Sequence, residues 1–262
     1  MAERTSYPHG AFSWVELATT DQAAAKSFYS QLFGWDYDDN PVGDGVVYSM
    51  AALQGKYVGA ISPQRDEERA QGVPPHWNSY VTVDDVDAVA GRVGELGGQL
   101  YAPPFDVMEA GRMAVLADPT GAVLSLWQAG ENPGAGLVNA PGAFCWNELA
   151  TRDPQAAQDF YSALLGWEIE PSESSGPPYW MIKNAGRWNG GIRRIGDELP
   201  PGVPAHWLVY FAVESVADTV DRASGAGAQV MLPRMDIDRG AIAALDDPQG
   251  AAFALYEGQL DD

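Results

Sequence analysis

One stretch of the chain is written twice. The segment "WVELATTDQAAAKSFYSQLFGW" at 14–35 returns at 146–167 as "WNELATRDPQAAQDFYSALLGW", with 14 identities in 22 aligned positions, against the one or two expected by chance. The repeat continues downstream. "GVPPHW" at 72–77 matches "GVPAHW" at 202–207, and "DPTGAVLSLW" at 118–127 matches "DPQGAAFALY" at 247–256. A chain that repeats itself over this length folds as two copies of one domain, read here as residues 8–130 and 141–260. Each copy is long enough to bury a core of its own. The Gly- and Pro-rich "QAGENPGAGLVNAPG" reads as the linker.

Inside each copy the pattern is finer. Asp21 has the position of an N-cap before "QAAAKSFYSQLF", where Ala24, Phe28 and Leu32 recur on one face and Gly34 ends the run. Asp85 opens a second amphipathic stretch in the same way, with Val86, Val89, Val93 and Leu96 on one stripe before Gly97-Gly98. An apolar strand precedes each helix and short strands follow it. "DPTG" and "DPQG" place Pro and Gly where a turn needs them, so each introduces a closing strand. The unit is therefore a strand, a helix and about three strands, used four times, which predicts an α+β fold.

Charge and cysteine content narrow the function. The 15 basic against 36 acidic side chains leave a net charge of −21, a field that repels phosphate backbones and anionic lipid, so neither nucleic acid nor a membrane is an expected partner. No apolar run has the roughly 18 residues of a spanning helix. "MAERTSYPHG" lacks the apolar core of a secretory signal, and the expected location is the cytoplasm. Cys145 is the only cysteine, so disulfide frameworks and cysteine zinc sites are excluded. Its place in an apolar strand suits a small buried hydrophobe. Phosphate-loop, nucleophile-elbow and H-E-x-x-H patterns do not occur.

The Asp-initiated helix carrying "FYSQLFGW" or "FYSALLGW", the strand running into "VDDVDAV" and the closing "DPTGAVLSLW" resemble the vicinal oxygen chelate superfamily, which includes glyoxalases, extradiol dioxygenases and bleomycin-resistance proteins. The two-domain actinobacterial glyoxalase-like proteins are the nearest likeness, and it covers about residue 10 to 257. The resemblance implies tandem glyoxalase/bleomycin-resistance-type domains. Each would consist of two βαβββ modules curled into an open barrel-like cup, with helices outside and the ligand within. It also implies a divalent metal, held in the superfamily's enzymes by His on a module's first strand and Glu on its last.

Here the positions implied for those ligands hold something else. Seven residues before the helix-starting Asp21 and Asp153 stand Trp14 and Trp146, whose indole nitrogens have no lone pair to give a metal. The other first-strand positions are Asn78 and Leu208, and the closing strands offer Ser125 and Ala254. Of the three histidines, His76 and His206 lie two residues before Asn78 and Leu208. A displaced site built from His76 and Glu16 is the one metal arrangement left, and no metal or other cofactor is expected.

Period-two alternation assigns faces within the implied cup. Val15 and Leu17 pack beneath a helix while Trp14 and Glu16 turn inward. Asn78, Tyr80, Thr82, Ser125 and Trp127 share that side, and in the second copy Trp146, Glu148, Tyr210, Ala254 and Tyr256 do so. Arg112, which has Ala241 as its counterpart, stands ready to neutralise Glu16, to clamp an anionic ligand, or to serve as a plain surface cation. His76-Trp77 and His206-Trp207 mark strand entrances near the rim.

The expected function is metal-independent capture of a small, largely planar or aromatic molecule, as in resistance by sequestration, by Trp14, Asn78, Tyr80, Arg112, Ser125, Trp127, Trp146, Tyr210 and Tyr256. A buried Trp on a strand also serves packing alone. The rival expectation is an enzyme, either a glyoxalase-like lyase or a metal-free isomerase or cyclase in which Glu16 or Glu148 is the general base. If one copy works alone, the first is favoured, because the second is less polar. The chain is expected to be a monomer or a homodimer.

Overall fold

The computed structural model describes residues 2–43, 45–173, 177–196 and 202–260. After a short β1 (Ala2–Glu3), the first half runs β2 (Phe12–Thr19), α1 (Gln22–Phe33), β3 (Asp36–Gly43), β4 (Val46–Leu53) and β5 (Lys56–Pro63), then a short α2 (Asp66–Ala70). It repeats the motif as β6 (His76–Thr82), α3 (Val86–Arg92), β7 (Gln99–Val107), β8 (Gly111–Ala117) and β9 (Val123–Ala129). Beyond β10 (Leu137–Val138) the second half comprises β11 (Phe144–Thr151), α4 (Pro154–Leu165), β12 (Glu168–Pro171), β13 (Tyr179–Asn184) and β14 (Arg187–Arg194), followed by β15 (His206–Ala212), α5 (Val216–Gly225), β16 (Gln229–Ile237), β17 (Gly240–Asp246) and β18 (Ala252–Gly258).

Each half is one curled eight-stranded sheet, ordered β3-β4-β5-β2-β6-β9-β8-β7 and β12-β13-β14-β11-β15-β18-β17-β16. The two first strands lie antiparallel at the centre, with Trp14 opposite Tyr80 and Glu16 opposite Asn78. The last strand of each module returns parallel beside its first, Glu16 against Ala60 and Tyr80 against Ser125.

Local chemistry sets the helix ends. The Asp21, Asp85 and Asp153 carboxylates accept from the backbone N–H three residues on, and Gly34 and Gly166 close their helices in the left-handed region, at φ 75° and 72°. α3 stops at Arg92, short of the stripe that predicts it. Gly91 and Gly94 weaken that stretch as helix, and the chain tightens into turns with Val93 N–H bonded to Ala90 O. In both closing turns the Asp side chain accepts from the backbone two and four residues on, for Asp118 at 2.7 and 3.1 Å and for Asp247 at 2.9 and 2.9 Å.

The halves do not keep separate cores, as their length allows; one apolar cluster runs through both. The helix-covered faces of the two sheets meet, and the repeated aromatic residues are what interlock them. The Tyr29 hydroxyl donates to Asp247 at 3.1 Å and accepts the Trp77 indole at 3.1 Å. Tyr161 mirrors this, bonding Asp118 and accepting from Trp207 at 3.0 Å. Trp35 donates to Gly142 O and Trp167 to Gly10 O, both at 2.7 Å. Phe33 packs on Phe211 and Phe12 on Trp167, with ring centroids 5.0 and 5.5 Å apart. Trp77 and Trp207 are thus buried between the halves rather than placed at a rim. The Gly- and Pro-rich connection is folded down as well, its Ala135 N–H bonded to Ser13 O and its Leu137 opposite Glu3.

Because the helix faces meet, the carboxylate-bearing faces point away from each other. A shared core predicts one cooperative unfolding transition for the whole chain, and Phe211→Ala is expected to cost about 3–5 kcal/mol. Calorimetry showing two separated transitions, with only the second-half one moved by Phe211→Ala, would contradict the interlock.

Candidate functional site

On the concave face of the first sheet, β2 presents Trp14 and Glu16 after an irregularity in pairing between Phe12 and Trp14. A carboxylate here must find donors, since the surrounding side chains are largely apolar. Ser62 on β5 donates to Glu16 Oε1 at 2.6 Å, and Tyr80 on β6 donates to Oε2 at 2.5 Å. Tyr48 on β4 reaches the same Oε2 at 3.4 Å while accepting the Trp14 indole N–H at 3.1 Å. Burial, reinforced by the Glu16 charge, pushes the Tyr48 and Tyr80 hydroxyls well above the usual tyrosine range. They therefore stay protonated and remain donors.

Trp14 is only 4% exposed, so its chief contact is this internal one and the indole holds Tyr48 in place. Ser125 and Trp127 are buried beside Tyr80, the Trp127 indole donating to Asn132 O at 2.9 Å. Asn78 is half-buried, and its amide makes no hydrogen bond among the described residues. Met50 and Val115 are partly buried on this face, and Phe105, opposite Met113, is 41% exposed at its edge.

The second sheet repeats the lattice with one exchange. The Trp146 indole donates to the Tyr179 hydroxyl at 3.1 Å, and Tyr179 and Tyr210 hydrogen-bond Glu148. At the place of Ser62 stands Arg193, whose Nε lies 2.9 Å from Glu148 Oε1. A side chain at Gly191, opposite Glu148, would collide with the Tyr179 ring, so glycine makes the room for this tyrosine. Glu148 is 6% exposed. Burial raises its carboxyl above the usual glutamate range, and the charge of Arg193 offsets this in part. Leu208 and Ala254 pack where the first half has Asn78 and Ser125. Tyr256 donates to Arg239 O at 3.0 Å. Desolvation pushes the thiol of the partly buried Cys145 up, which lowers its thiolate fraction and with it its reactivity.

Arg112 does not belong to this face. It lies one residue before the inward Met113 and so on the helix side. There its guanidinium clamps Asp87 at 2.7 and 2.9 Å and meets Asp106 at 2.8 Å. The role of neutralising Glu16 is thereby corrected: two nearer carboxylates satisfy the cation. Tyr48, Ser62, Tyr179 and Arg193 are absent from the sequence-based candidates, although they complete both lattices. The matching of "YSM" at 48–50 with "YWM" at 179–181 is the signal that finds the two tyrosines.

The divalent metal implied by the family resemblance does not fit these residues. It requires several converging lone pairs. The two indoles offer N–H groups already given to tyrosines, and three hydroxyl donors leave Glu16 about one free lone pair, on Oε1, enough for one further hydrogen bond and too few for a metal's ligand set. His76 and His206 have Nδ1 on the carbonyls of Pro74 and Pro204, at 2.8 and 3.0 Å. Among the described residues no three His, Cys, Asp or Glu side chains converge.

The Glu148 shift has a measurable sign. Its folded-state carboxyl binds a proton more tightly than the unfolded chain's, so its contribution to stability is complete below about pH 4.3 and is lost as pH rises through the raised value. The stability of the wild type minus that of Glu148→Gln, from urea denaturation, is expected to shrink between about pH 4 and pH 7. A difference that grows over that window would contradict the shift.

Comparison with known proteins agrees with this geometry. Residues 11–126 match the model of the glyoxalase/bleomycin resistance protein/dioxygenase superfamily, and 145–256 match a glyoxalase-like domain. "Putative glyoxylase CFP32" of Mycobacterium tuberculosis is 48% identical over 260 residues, 98% of each chain. Anthracycline biosynthesis protein DnrV of Streptomyces peucetius is 36% identical over 267 residues, 97% of this chain and 95% of that one. Among solved structures, the Mn(II)-bound glyoxalase of Novosphingobium aromaticivorans superposes with TM-score 0.65 at 16% identity, over 97% of this chain and 84% of its own. The 2,3-dioxygenase LapB of Pseudomonas sp. KL28 gives 0.63 at 14% identity, over 97% and 95%. Such structural likeness at low identity speaks for the fold alone. With a family match in each half and relatives aligned end to end, this chain belongs to the glyoxalase/bleomycin resistance protein/dioxygenase superfamily.

Proposed function

We propose that the protein binds small, largely planar organic molecules on the concave face of its first half, in the cytoplasm and without a metal. The observation that carries this reading is the pairing of a partly exposed Glu16 with the uncommitted amide of Asn78 directly across the strand pair. Sparse polar groups of this kind orient a ligand, while the partly exposed side chains of Met50, Val115 and Phe105, backed by the buried rings of Tyr80 and Trp127, give it apolar area. Ser125 lies beneath them. In the second half Leu208 takes the place of the amide and Arg193 occupies the carboxylate, so Trp146, Glu148, Tyr210 and Tyr256 form a more self-satisfied face.

Two relatives that align along most of the chain are named for anthracycline biosynthesis, and an anthracycline is therefore the first ligand to test. Proton transfer by Glu16 on a bound ligand is the second reading, favoured by the partial exposure of a carboxylate whose tyrosine partners keep their own protons. Under it, Glu16→Gln abolishes turnover and leaves binding in place.

Titration followed by ligand fluorescence is expected to show saturable binding. Asn78→Leu, which copies the residue tolerated at 208, should weaken it roughly five- to tenfold, the loss of one hydrogen bond. Leu208→Asn should leave it unchanged. Affinity indifferent to Asn78→Leu and to Glu16→Gln would remove the proposed face from consideration.

A further inference from the structure

The two concave faces correspond in strand register around their carboxylates, which makes the one charged exchange between them informative. Trp14 matches Trp146, Tyr48 matches Tyr179 and Tyr80 matches Tyr210, and in each half an indole N–H is donated to a tyrosine hydroxyl at 3.1 Å. The same carboxylate oxygen, Oε1, is met from the same sheet position in both. In the first half the group is the Ser62 hydroxyl at 2.6 Å, and in the second it is the Arg193 guanidinium at 2.9 Å. The registers agree, with Glu16 opposite Ala60 and Glu148 opposite Gly191, and the partner two residues further along.

The electrostatic consequence differs in kind. Three hydroxyls stabilise the Glu16 carboxylate without cancelling its charge. Arg65 is a minor influence on Tyr80, and its side chain is 66% exposed and paired with Glu68 at 3.6 Å. Glu148 has its countercharge built in, and the Arg193 charge also reaches His206, whose imidazole is pushed below its ordinary value by burial first and, less strongly, by this cation, against the opposing bond to Pro204 O. A ligand cation entering the first half gains a charge-assisted hydrogen bond, whereas in the second it must displace or oppose an arginine.

We infer that the identity of the residue at positions 62 and 193 sets ligand charge: the Ser62 face selects planar aromatic molecules bearing a protonated amine, and the Arg193 face rejects them and admits only uncharged ones. This rests on the binding reading above and adds the class of ligand to it.

The test uses two flat three-ring probes of nearly equal outline, cationic 9-aminoacridine and uncharged acridone, titrated by fluorescence in about 0.5 M NaCl. There the general attraction of an acidic protein is screened beyond about 4 Å. The wild type is expected to bind one 9-aminoacridine per chain about tenfold more tightly than acridone, the scale of a hydrogen bond to a charged group. Ser62→Arg should erase the preference and Arg193→Ser should raise the 9-aminoacridine stoichiometry from one to two. Both exchanges copy the residue its twin accommodates. Glu16→Gln supplies a smaller change, expected to abolish the preference while acridone still binds. A preference that survives both Ser62→Arg and Glu16→Gln, or a stoichiometry unmoved by Arg193→Ser, would overturn the charge assignment and leave binding intact. No saturable binding of either probe would overturn binding itself.

Discussion

A carboxylate set on an apolar sheet face has to be satisfied, and the way this protein satisfies it shapes everything around the site. Glu16 takes its hydrogen bonds from Ser62, Tyr80 and Tyr48, and Tyr48 is in turn held by the Trp14 indole. The indole nitrogen is a donor only, so it can fix a hydroxyl but cannot ligate a metal. Once tryptophan stands there, the centre of the sheet is organised around proton donors directed at one anion. A metal centre needs the reverse, several lone pairs directed at one cation.

The interlock between the halves explains why so much of the repeat is aromatic. Tyr29, Trp35, Tyr161 and Trp167 lie on or just beyond the helices, yet their polar atoms bond the opposite half, at Asp247, Gly142, Asp118 and Gly10. Each copy therefore needs the other to pair its buried polar groups. The concave faces are left outward, where they have diverged: Asn78 and Leu208, Ser62 and Arg193, and Trp127 and Tyr256 differ, while Tyr29 and Tyr161, Trp35 and Trp167, and Trp77 and Trp207 between the halves do not. Rigid support behind the sheet lets the front vary.

The parts of this arrangement that are legible in the sequence are those carried by period and position. The repeat gives two copies, the Asp and Gly signals give α1 and its ends, and alternation places Trp14, Glu16, Asn78 and Tyr80 on one face. The parts that escape depend on which strands become neighbours. Nothing near Glu16 in the chain announces Ser62, 46 residues away, because the β5 strand reaches β2 only through the parallel return of the module. Arg112 escapes for a related reason. Its difference from Ala241 marks it as distinctive, but only the three-dimensional placement of Asp87 and Asp106 shows where its charge is spent. Trp77 and Trp207, placed near a rim by their Pro-rich approach, are interior because the other half covers them.

Equilibrium dialysis of the purified chain against Mn(II), read by electron paramagnetic resonance, addresses the indole-for-imidazole exchange directly. The account predicts that the retained signal is that of weak, solvated manganese, equal in the wild type, Glu16→Gln and Glu148→Gln. Manganese held in stoichiometric amount and released by either of those changes would mean that a cation, and not a ring of hydroxyl donors, is what these carboxylates are built to hold.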